Sequence, residues 1–482
     1  MTSIDEKSPF VYEANTYRDR RVAHWEDIHT RQQASLGNHY WEKLTDCYRN
    51  LIPEGSLVLE IGCGEGRLLS ALKPAVGVGI DFSQRAIEQA RVAFPELSFY
   101  VGDAHGLDLD EQYFDFIVLS DLLNDLWDVQ AVLQEIRRYC GEQTRLVLNV
   151  HSHLWNAPLS LAQQLGLARK KLPQNWLTRH DVFNLLEISG FQVLRAWEEV
   201  LIPIYVPLLS TFGNRYVVKL WPFRWGAIAN FVVARSHNVH SKLCPSVSIV
   251  IAARNEEGHI SELIERIPQM GSGTEIIFVE GNSSDLTYDA IFKVIADRPH
   301  LNCQLIKQTG KGKGDAVRAG FDIASGDVLM ILDADITVPP EDLPRFLAPL
   351  ANGSAEFVNG VRLVYPMESG AMRFANLVGN KFFSWAFSWL LGQPIRDSLC
   401  GTKVLWRRDY LRIAANRKYF GDFDPFGDFD LLFGAARLNL KILEVPIRYR
   451  ARRYGETNIS RWRHGVLLLR MVWFAARRIK FV

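Results

Sequence analysis

The sequence predicts a two-domain α/β protein. Two apolar segments, SLVLEIG at 56–62 and SVSIVIAA at 246–253, have the composition of buried first strands. Each is followed by a helix-like stretch and by further alternation of strand-like and helix-like segments. Because parallel strands are joined by helical crossovers, this alternation predicts two sheets of parallel strands.

A polar stretch predicts the boundary between the domains. RSHNVHSKLCP, residues 235–245, ends in proline and separates the two alternating regions. We therefore expect a first domain at 1–235, a linker at 236–245 and a second domain at 246–482. The chain length of 482 residues suits two or three domains, and an apolar content of 48% can supply a core for each.

Charge and cysteine content exclude several classes of protein. A formal net charge of +1 predicts no partner from global charge. Six scattered cysteines without a CxxC pair favour a reduced cytoplasmic protein over a disulfide framework or a zinc site. The start MTSIDEKSPF lacks the features of a signal peptide, and no apolar run reaches the roughly 20 residues that cross a bilayer. The expected location is the cytoplasm.

A glycine-rich turn follows the first strand of the N-terminal domain. LVLEIGCGEGRLL places Glu60 in the strand and Gly62, Gly64 and Gly66 in the turn before a helix. Glycines let the backbone turn tightly and approach a ligand, and the amides at a helix N-terminus favour an electron-rich group. The spacing differs from the dinucleotide GxGxxG, and a glycine-rich turn by itself is a weak signal.

Three further predicted strands end at polar residues. VGVGID ends in Asp81, at a position that suits a hydrogen bond to ribose hydroxyls. SFYVGDA ends at Asp103 and Ala104, and FDFIVLSDLLNDL is a fourth strand that ends near Ser120. With the glycine-rich turn, these pieces resemble a class I S-adenosylmethionine-dependent methyltransferase over about residues 40–235.

This resemblance implies a Rossmann-like fold with S-adenosylmethionine as the cofactor. It places the methionine part around Glu60, Gly62 and Gly64, ribose on Asp81, adenine beside Asp103 and Ala104, and the mouth of the site near Ser120. The alternative is a Rossmann-like domain that has lost its ligand. The intact turn and the two strand-end acids favour the methyltransferase.

The methyl acceptor is less well specified. LNVHSHLW places His151 and His153 at the end of a predicted fifth strand, where a general base would lie. A period of two would put both side chains on one face of the strand. The alternative is that one histidine caps a loop and the other is solvated, because many methyl transfers need only a positioned acceptor.

Two aspartates close an apolar segment of the C-terminal domain. In VLMILDADITVPP, Asp333 and Asp335 lie two residues apart, so an extended chain would point both to the same side. Neighbouring carboxylates repel unless a cation lies between them and their ligand. A hard divalent ion that also binds a diphosphate fits this pattern, whereas a pair of capping or solvated acids before a turn is the alternative.

Other polar residues are predicted at the same edge of the second sheet. SVSIVIAARNEEGHI ends a strand at Arg254 and Glu256, and EIIFVEGNSSDLT ends the next at Glu280. GKGKGD is a loop that carries Lys313 before a helix from about Asp315, and its spacing is not that of a P-loop. Asp315 is either the N-cap of that helix or a nucleotide contact.

These motifs resemble the family 2 glycosyltransferases of GT-A fold over about residues 246–455, and within them the polyprenyl-phosphate (dolichyl-phosphate mannosyltransferase-like) group. The resemblance implies a nucleotide-sugar donor bound by Arg254, Glu256, Glu280, Lys313, Asp315, Asp333 and Arg452. It also implies Mg²⁺ or Mn²⁺ on Asp333 and Asp335. RDSLCGTKVLWRRD matches the block that places Asp397 near the acceptor, and RRYGET matches the block that places Arg452 near phosphate.

Two departures from the family pattern leave questions open. The second strand ends in Glu280 followed by Gly-Asn instead of paired aspartates, which leaves the base preference undetermined between UDP- and GDP-sugars. DPFGDFDLLFGA carries Asp424, Asp428 and Asp430, so Asp428 or Asp430 competes with Asp397 as catalytic base, unless this cluster only caps helices.

The C-terminal tail predicts a basic amphipathic helix. From 446 to 482 there are nine arginines and one lysine against one glutamate. Within this tail Arg463, Arg470 and Arg477 share one face, and the opposing apolar stripe is Trp462, Val466, Leu469 and Trp473. Such a helix suits peripheral contact with the inner face of the membrane, although the stripe can instead pack on the domain. Nucleic acid is not expected as a partner.

Together these observations predict a bifunctional enzyme of cell-envelope glycan synthesis. The second domain would transfer a sugar from a nucleotide-sugar, with inversion, to a polyprenyl phosphate or a glycan, and the first would methylate a small molecule or sugar. His151 and either Asp397 or Asp428 are the expected catalytic residues. The alternative is a polysaccharide glycosyltransferase with a hydroxyl acceptor, whose first domain only binds S-adenosylmethionine as a regulator.

Overall fold

The computed structural model describes residues 9–30, 38–109, 113–165, 172–237, 243–362, 364, 374–417, 428–448 and 461–481. The chain divides into two compact units, Met1–Asn238 and Val239–Phe481. Each unit has its own seven-stranded sheet among these residues.

The first unit contains a mixed sheet. Its strands are β1 (Leu57–Ile61), β2 (Val76–Asp81), β3 (Ser98–Val101), β4 (Phe114–Ser120), β5 (Cys140–His151), β6 (Phe191–Glu199) and β7 (Ala229–Ser236). Their order is β3-β2-β1-β4-β5-β7-β6. Strands β1 to β5 pair in parallel, whereas β7 is antiparallel to both of its neighbours.

Helices connect the strands of the first unit. They are α1 (Pro9–Thr30), α2 (Asn38–Leu51), α3 (Arg67–Ala71), α4 (Gln84–Ala93), α5 (Val129–Ile136), α6 (Asn156–Gln164), α7 (Arg179–Ile188) and α8 (Leu209–Arg215). Helix α2 shows how they pack, because Leu44 and Tyr48 recur at helical spacing and are both buried. One apolar cluster joins Leu59 and Ile117, and a second joins Val58 and Val118. Alternate residues of each strand thus supply separate cores on the two faces of the sheet.

The second unit also contains a mixed sheet. Its strands are β8 (Val247–Ala253), β9 (Thr274–Glu280), β10 (Cys303–Lys307), β11 (Val328–Ile331), β12 (Phe357–Val361), β13 (Lys403–Trp406) and β14 (Ile442–Pro446). Their order is β10-β9-β8-β11-β13-β12-β14, and β13 is antiparallel to β11 and β12. The prediction of purely parallel sheets is therefore wrong in both units, because one strand in each runs against the others.

Eight helices among the described residues cover the second sheet. They are α9 (Ile260–Arg266), α10 (Thr287–Asp297), α11 (Lys313–Ile323), α12 (Leu343–Ala351), α13 (Phe374–Leu391), α14 (Arg407–Ala415), α15 (Asp428–Arg437) and α16 (Arg461–Ala475). Strands β9, β11 and β13 bury every residue, as expected for a sheet covered on both faces, whereas the edge strands β10 and β14 are only partly buried.

Helix α16 has two apolar faces. Leu468, Met471 and Ala475 are buried in the core of the second unit, whereas Val466, Leu469 and Trp473 are 50%, 51% and 61% exposed. The described part of the predicted stripe therefore does not pack on the domain. The side chains of Trp462 and Arg463 lie outside the described residues.

No helix within the described parts of the chain combines the length and the apolar character that crossing a bilayer requires.

Candidate active sites

Strand β2 and the glycine-rich turn hold each other in place in the first unit. Both oxygens of Asp81 accept backbone hydrogen bonds, Oδ2 from Gly64 N at 2.9 Å and Oδ1 from Ser83 N at 2.9 Å. Gly64 and Gly66 have φ values of 52° and 74°, a region that suits glycine. Asp81 therefore fixes the turn, and its oxygens keep lone pairs for further hydrogen bonds.

Glu60 lies in β1 just before this turn and is only 2% exposed. Burial raises the pKa of Glu60 well above its usual range, although a hydrogen bond from the Leu69 backbone opposes the shift. Its Oε2 atom is buried without a hydrogen-bond partner in the part of the chain that the structure describes. An unmatched acceptor at this position suits a ligand that brings a donor or a positive charge.

The third predicted acid lies beyond its strand. Strand β3 ends at Val101, two residues before Asp103, and Ala104 is buried. Asp103 accepts hydrogen bonds from His105 N at 3.0 Å and from His105 Nδ1 at 2.8 Å, and Arg18 of α1 lies 3.7 Å from its Oδ2. The His105 hydrogen bond outweighs partial burial and lowers the pKa of Asp103.

A buried polar network lies where β4 and β5 end. Ser120 is the last residue of β4, and the next residue, Asp121, has a positive φ of 51°. Asp121 accepts hydrogen bonds from Tyr40 Oη at 3.0 and 3.1 Å and from Asn149 Nδ2, and its Oδ1 lies 3.5 Å from His151 Nδ1. The ring of Tyr40 stacks on His151 at 6.0 Å. Asn124 Oδ1 lies 3.4 Å from the same Nδ1 atom, so Asp121 and Asn124 together orient the imidazole of His151.

Sequence reasoning identified His151 but missed Asp121 and Tyr40. The prediction that His151 and His153 share a face is wrong, because β5 ends at His151 and His153 begins a 3₁₀ turn with an exposed side chain. The sequence carried a signal for Asp121, because this residue is an acid directly after an apolar strand. Tyr40 had none, because α2 and β4 meet only in the folded unit.

The loops after β8 and β9 bind each other in the second unit. Asn255 Oδ1 accepts a hydrogen bond from Ser284 N at 2.8 Å, and Glu280 Oε1 accepts one from Ser283 N at 2.6 Å. Glu256 is buried, and its Oε2 lies 2.9 Å from His259 Nδ1. Both glutamates therefore shape this edge of the sheet by fixing its loops, and Arg254 is exposed beside them.

Asp315 stabilises the Gly/Lys loop. Helix α11 begins at Lys313 and its N-cap is Gly312, so the N-cap interpretation of Asp315 is wrong. The Asp315 carboxylate instead accepts hydrogen bonds from Gly310 N at 3.1 Å and from Gln308 Nε2 at 2.9 Å. These hydrogen bonds fold the loop so that Lys313 is the first residue of helix α11.

Asp333 is surrounded by positive charge. Lys313 forms an ion pair with Asp333, and Gly401 is so close that a Cβ there would lie 2.1 Å from Asp333 Oδ2. Burial by itself would raise the pKa of Asp333, but Lys313, Lys403 and Arg362 outweigh it and hold the pKa below its usual range. The carboxylate stays ionised, and only glycine fits at position 401 without a shift.

Asp335 lies in a turn and not in a strand. Strand β11 ends at Ile331, so the extended geometry from which a shared direction for Asp333 and Asp335 was predicted is absent. Asp335 Oδ1 accepts hydrogen bonds from Thr337 Oγ1 at 2.8 Å and Thr337 N at 3.2 Å. Hydrogen bonding by Thr337 fixes the carboxylate within the turn.

Asp397 is held by Arg362. The guanidinium donates from Nε to Oδ2 at 2.7 Å and from Nη2 to Oδ1 at 2.8 Å, and the Asp397 side chain is fully buried. Burial would raise the pKa of Asp397, but Arg362 outweighs it and lowers the pKa. A carboxylate with a lowered pKa binds protons weakly, so this geometry argues against Asp397 as a general base.

Other candidate residues are only partly described. Asp430 is 7% exposed and pairs with Arg417 at 2.8 Å, which gives it a structural role. Asp424, the side chain of Asp428, and Arg452 lie outside the described residues.

Among the residues that are described, no three His, Cys, Asp or Glu side chains cluster as a metal site. A cation at Asp333 and Asp335 would therefore need ligands from its substrate as well.

The two sheets and their sites define a chain with two α/β transferase domains. A model of glycosyl transferase family 2 matches residues 248–414, and a model of a methyltransferase domain matches residues 58–143. A dolichyl-phosphate hexose transferase from Haloferax volcanii is 30% identical over 223 residues, which are 46% of this chain and 90% of that relative. The chain belongs to the family 2 glycosyltransferases and carries a methyltransferase domain ahead of the glycosyltransferase domain.

Two further proteins show the extent of the similarity. Glycosyltransferase AglJ of Haloferax volcanii is 28% identical over 225 residues, which are 46% of this chain and 69% of that protein. A solved methyltransferase from Thermotoga maritima covers 46% of this chain and 99% of its own, with 16% identity and a TM-score of 0.34. The two family models and the dolichyl-phosphate hexose transferase confirm the predicted enzyme classes, and the two sheets confirm an α/β fold in each domain.

Loss of the Arg362–Asp397 ion pair is expected to reduce the stability of the second unit strongly. Replacing Arg362 by Met leaves a buried carboxylate without its counter-ion, so we expect a loss of about 3–5 kcal/mol in the free energy of unfolding at pH 7. The folded pKa of Asp397 is lowered, so its contribution is present above the unfolded pKa and is lost as pH falls through the folded pKa. Urea unfolding of the second unit, followed by hydrogen exchange, measures both effects.

The double variant Arg362→Met/Asp397→Asn is the control for this prediction. Removal of both charges avoids the uncompensated carboxylate, so we expect it to be more stable at pH 7 than Arg362→Met alone. Equal losses in the single and double variants would contradict an energetic role for the pair.

Proposed function

We propose that the protein is a bifunctional transferase that acts in cell-envelope glycan synthesis. The second unit transfers a sugar, with inversion, from a UDP- or GDP-sugar to a lipid phosphate, in the presence of Mg²⁺ or Mn²⁺. The first unit methylates a sugar or another small molecule with S-adenosylmethionine. The observation that carries the glycosyltransferase proposal is the ionised Asp333, paired with Lys313 beside Gly401 where no larger residue fits.

The charges around Asp333 suit a nucleotide diphosphate. Lys313 stands at the N-terminus of α11, where the helix dipole adds to its positive charge. Lys403 and Arg362 add further positive charge close enough to lower the pKa of Asp333. Lys313 binds and orients the donor phosphates, whereas the buried Lys403, which donates to Cys400 O, and Arg362, which is held by Asp397, only add to the local positive charge. Glu256 and Glu280 fix the loops that receive the nucleoside.

The residues also fit a divalent cation. Asp333 and Asp335 provide hard oxygen ligands close together in the chain, and Thr337 orients the second carboxylate. When bound, such a cation neutralises charge on the leaving nucleoside diphosphate. Lys313 would then share Asp333 with the cation or turn towards the donor phosphates.

The acceptor proposal rests on Asp397. A hydroxyl acceptor needs a base, but Arg362 engages both oxygens of Asp397 and lowers its pKa. A phosphate acceptor is already ionised and attacks without losing a proton to the protein. Asp430, the other candidate base whose side chain the structure describes, is likewise paired with an arginine, Arg417. The described candidates therefore favour lipid phosphate over a glycan hydroxyl, and the dolichyl-phosphate hexose transferase is a relative whose name states such an acceptor.

Membrane contact of the second unit is part of the same proposal. Val466, Leu469 and Trp473 form an exposed apolar stripe on α16, and Arg470 and Arg477 are exposed on the same segment. Such side chains suit the interface between headgroups and acyl chains, where a lipid phosphate is presented.

In the first unit, the geometry supports both cofactor binding and catalysis. Asp81 fixes the glycine-rich turn, and Glu60 offers an unmatched buried oxygen for the cationic part of S-adenosylmethionine. The Asp121–His151 pair lies at the end of the same sheet, where His151 would take a proton from the acceptor while Asp121 orients the ring. A regulatory domain that only binds the cofactor would not need this pair.

The metal proposal predicts the effect of Asp335→Ala. Loss of one oxygen ligand removes stabilisation of the leaving diphosphate, so we expect Mn²⁺-dependent nucleotide release to fall roughly 10²-fold or more. Release is measured with UDP- and GDP-sugars, with and without polyprenyl phosphate, and with EDTA. Asp297→Ala, an exposed acid at the far end of α10, is the matched control and should keep full activity.

Asp81→Ala tests cofactor binding by the first unit. The substitution frees Gly64 N and Ser83 N from their acceptor and removes the predicted ribose contact, so affinity for S-adenosylmethionine should fall at least roughly tenfold. Titration calorimetry measures this affinity. Asp46→Ala, at an exposed ion pair on α2, should bind like wild type. Unchanged affinity in Asp81→Ala would contradict the proposed site.

His151→Ala tests catalysis by the first unit. Loss of the general base should lower methyl transfer roughly 10²-fold while affinity for S-adenosylmethionine stays the same. Transfer of labelled methyl into a detergent extract of membranes measures the rate. The exposed His153 gives a matched control, and His153→Ala should keep wild-type turnover. Equal losses in both variants would argue against a specific role for His151.

A further inference from the structure

The connection between β6 and β7 is a folded surface that the proposed chemistry does not use. It covers residues 200–228 and contains α8 and the 3₁₀ turns Val217–Lys219 and Phe223–Gly226. We call residues 200–228 the apolar platform. Ten large apolar side chains within it are between 40% and 87% exposed: Ile204, Tyr205, Leu208, Leu209, Phe212, Tyr216, Leu220, Trp221, Phe223 and Trp225.

The apolar platform buries polar groups and exposes apolar ones. Asn214 is buried, and its side chain accepts from Ile202 N at 2.8 Å and donates to Ile202 O at 2.8 Å. Ser210 is fully buried and donates from Oγ to Val206 O at 2.8 Å. Polar residues thus fix the fold from inside, which is the reverse of a water-facing helix.

One residue of the apolar platform, Leu208, has a strained backbone conformation. Leu208 is 87% exposed and has a φ of 63°, a value that large residues rarely adopt. Strain of this kind persists where the surrounding structure enforces it, and such positions cluster at functional sites. Leu208 therefore combines a strained backbone with an exposed apolar side chain, which indicates that this surface contacts another molecule.

The charge of the platform indicates what it contacts. Residues 200–228 contain no Asp or Glu. Of their three basic residues, Lys219 is buried in an ion pair with Glu199, so the positive charge at the surface comes from Arg215 and the half-buried Arg224. Arg215 is exposed, and its guanidinium lies 5.7 Å from the Tyr216 ring centroid. Trp, Tyr and Phe side chains beside arginines suit the interface of a bilayer with anionic headgroups, because rings enter the interface while cations meet phosphates.

The platform is continuous with the methyl-acceptor side of the site. His151 at the end of β5 pairs with Ala229 at the start of β7, directly after the platform. Trp155 Nε1 donates to Gly226 O at 2.9 Å, and the rings of His39 and Tyr205 lie 5.6 Å apart. A molecule lying along the platform would therefore reach the edge of the sheet at which His151 lies.

We propose that the apolar platform docks the first unit on an anionic membrane surface, where its methyl acceptor is a lipid-linked molecule presented to the Asp121–His151 pair. The acceptor part of this inference rests on the proposed methyltransferase function. The docking part does not, because it follows from the exposed side chains, the buried polar residues and the charge.

Vesicle binding of the full-length protein tests the docking part. We compare flotation with vesicles of phosphatidylcholine and with vesicles that also contain phosphatidylglycerol. The wild type should bind the anionic vesicles, and Trp221→Ser/Phe223→Ser/Trp225→Ser should weaken partition at least roughly tenfold. The matched control is Val92→Ser/Tyr113→Ser, which should bind like wild type. Both residues are apolar, belong to the same unit outside the apolar platform, and are 85% and 66% exposed.

Leu208→Gly separates docking from folding. Glycine adopts a positive φ without strain, so this variant should melt at the same temperature as wild type or higher. Its vesicle partition should nevertheless fall roughly threefold or more, since an exposed leucine is lost. A purely structural role for Leu208 predicts loss of stability and partition together.

Several outcomes would overturn the docking proposal. Partition of the platform variant equal to wild type would assign vesicle binding to the second unit, and absence of wild-type binding would exclude a membrane. Conversion of a dimer to a monomer by the triple substitution, with partition unchanged, would instead identify the platform as a protein interface.

A methylation assay separates this inference from the proposed function. Labelled S-adenosylmethionine is incubated with the full-length protein and a total lipid extract of the producing cells. Label should enter the organic phase, and the platform variant should lose this transfer while its affinity for S-adenosylmethionine stays unchanged. Label only in water-soluble products would refute the lipid-linked acceptor, whereas vesicle binding without any methyl transfer would refute the methyltransferase function and leave docking intact.

Discussion

The common edge at which parallel strands end is the constraint on which both sites depend. Backbone amides and strand-end side chains gather there because each parallel strand stops at the same side of its sheet. In the first unit this edge brings Asp81 beside the glycine-rich turn. In the second it gathers Glu280 and the turn that carries Asp333. Two unrelated chemistries thus use the same geometric rule.

Electrostatics then distinguishes the two sites. In the second unit, positive charge outweighs burial and keeps Asp333 and Asp397 ionised. In the first unit, burial raises the pKa values of Glu60 and Tyr40, whereas hydrogen bonding by His105 lowers that of Asp103. The two sites thus differ in which effect controls their buried carboxyl groups, because neighbouring cations act on Asp333 and Asp397 and desolvation acts on Glu60.

The fold class was predictable because the central strands are short apolar runs with polar residues at their ends. Strand direction was not, because the residues of β7 and β13 carry no local sign of which way the strand runs. The acids beyond a strand were predictable, but β11 ends at Ile331, with one residue between it and Asp333, so the predicted extended geometry failed. The pairings of Asp121 with His151 and of Arg362 with Asp397 join distant segments, which local patterns cannot reveal.

The reversed strand in each sheet has a consequence for how such enzymes diversify. Since β7 runs backwards, the connection before it emerges beside His151, and since β13 runs backwards, Gly401 and the segment from Asp397 meet Asp333. In the functions that we propose, the parallel strands keep the cofactor or donor in place, and the segment ahead of the reversed strand contacts the other substrate. On this proposal, insertions at these two points would change acceptor choice in either domain while the machinery that activates the transferred group stays intact.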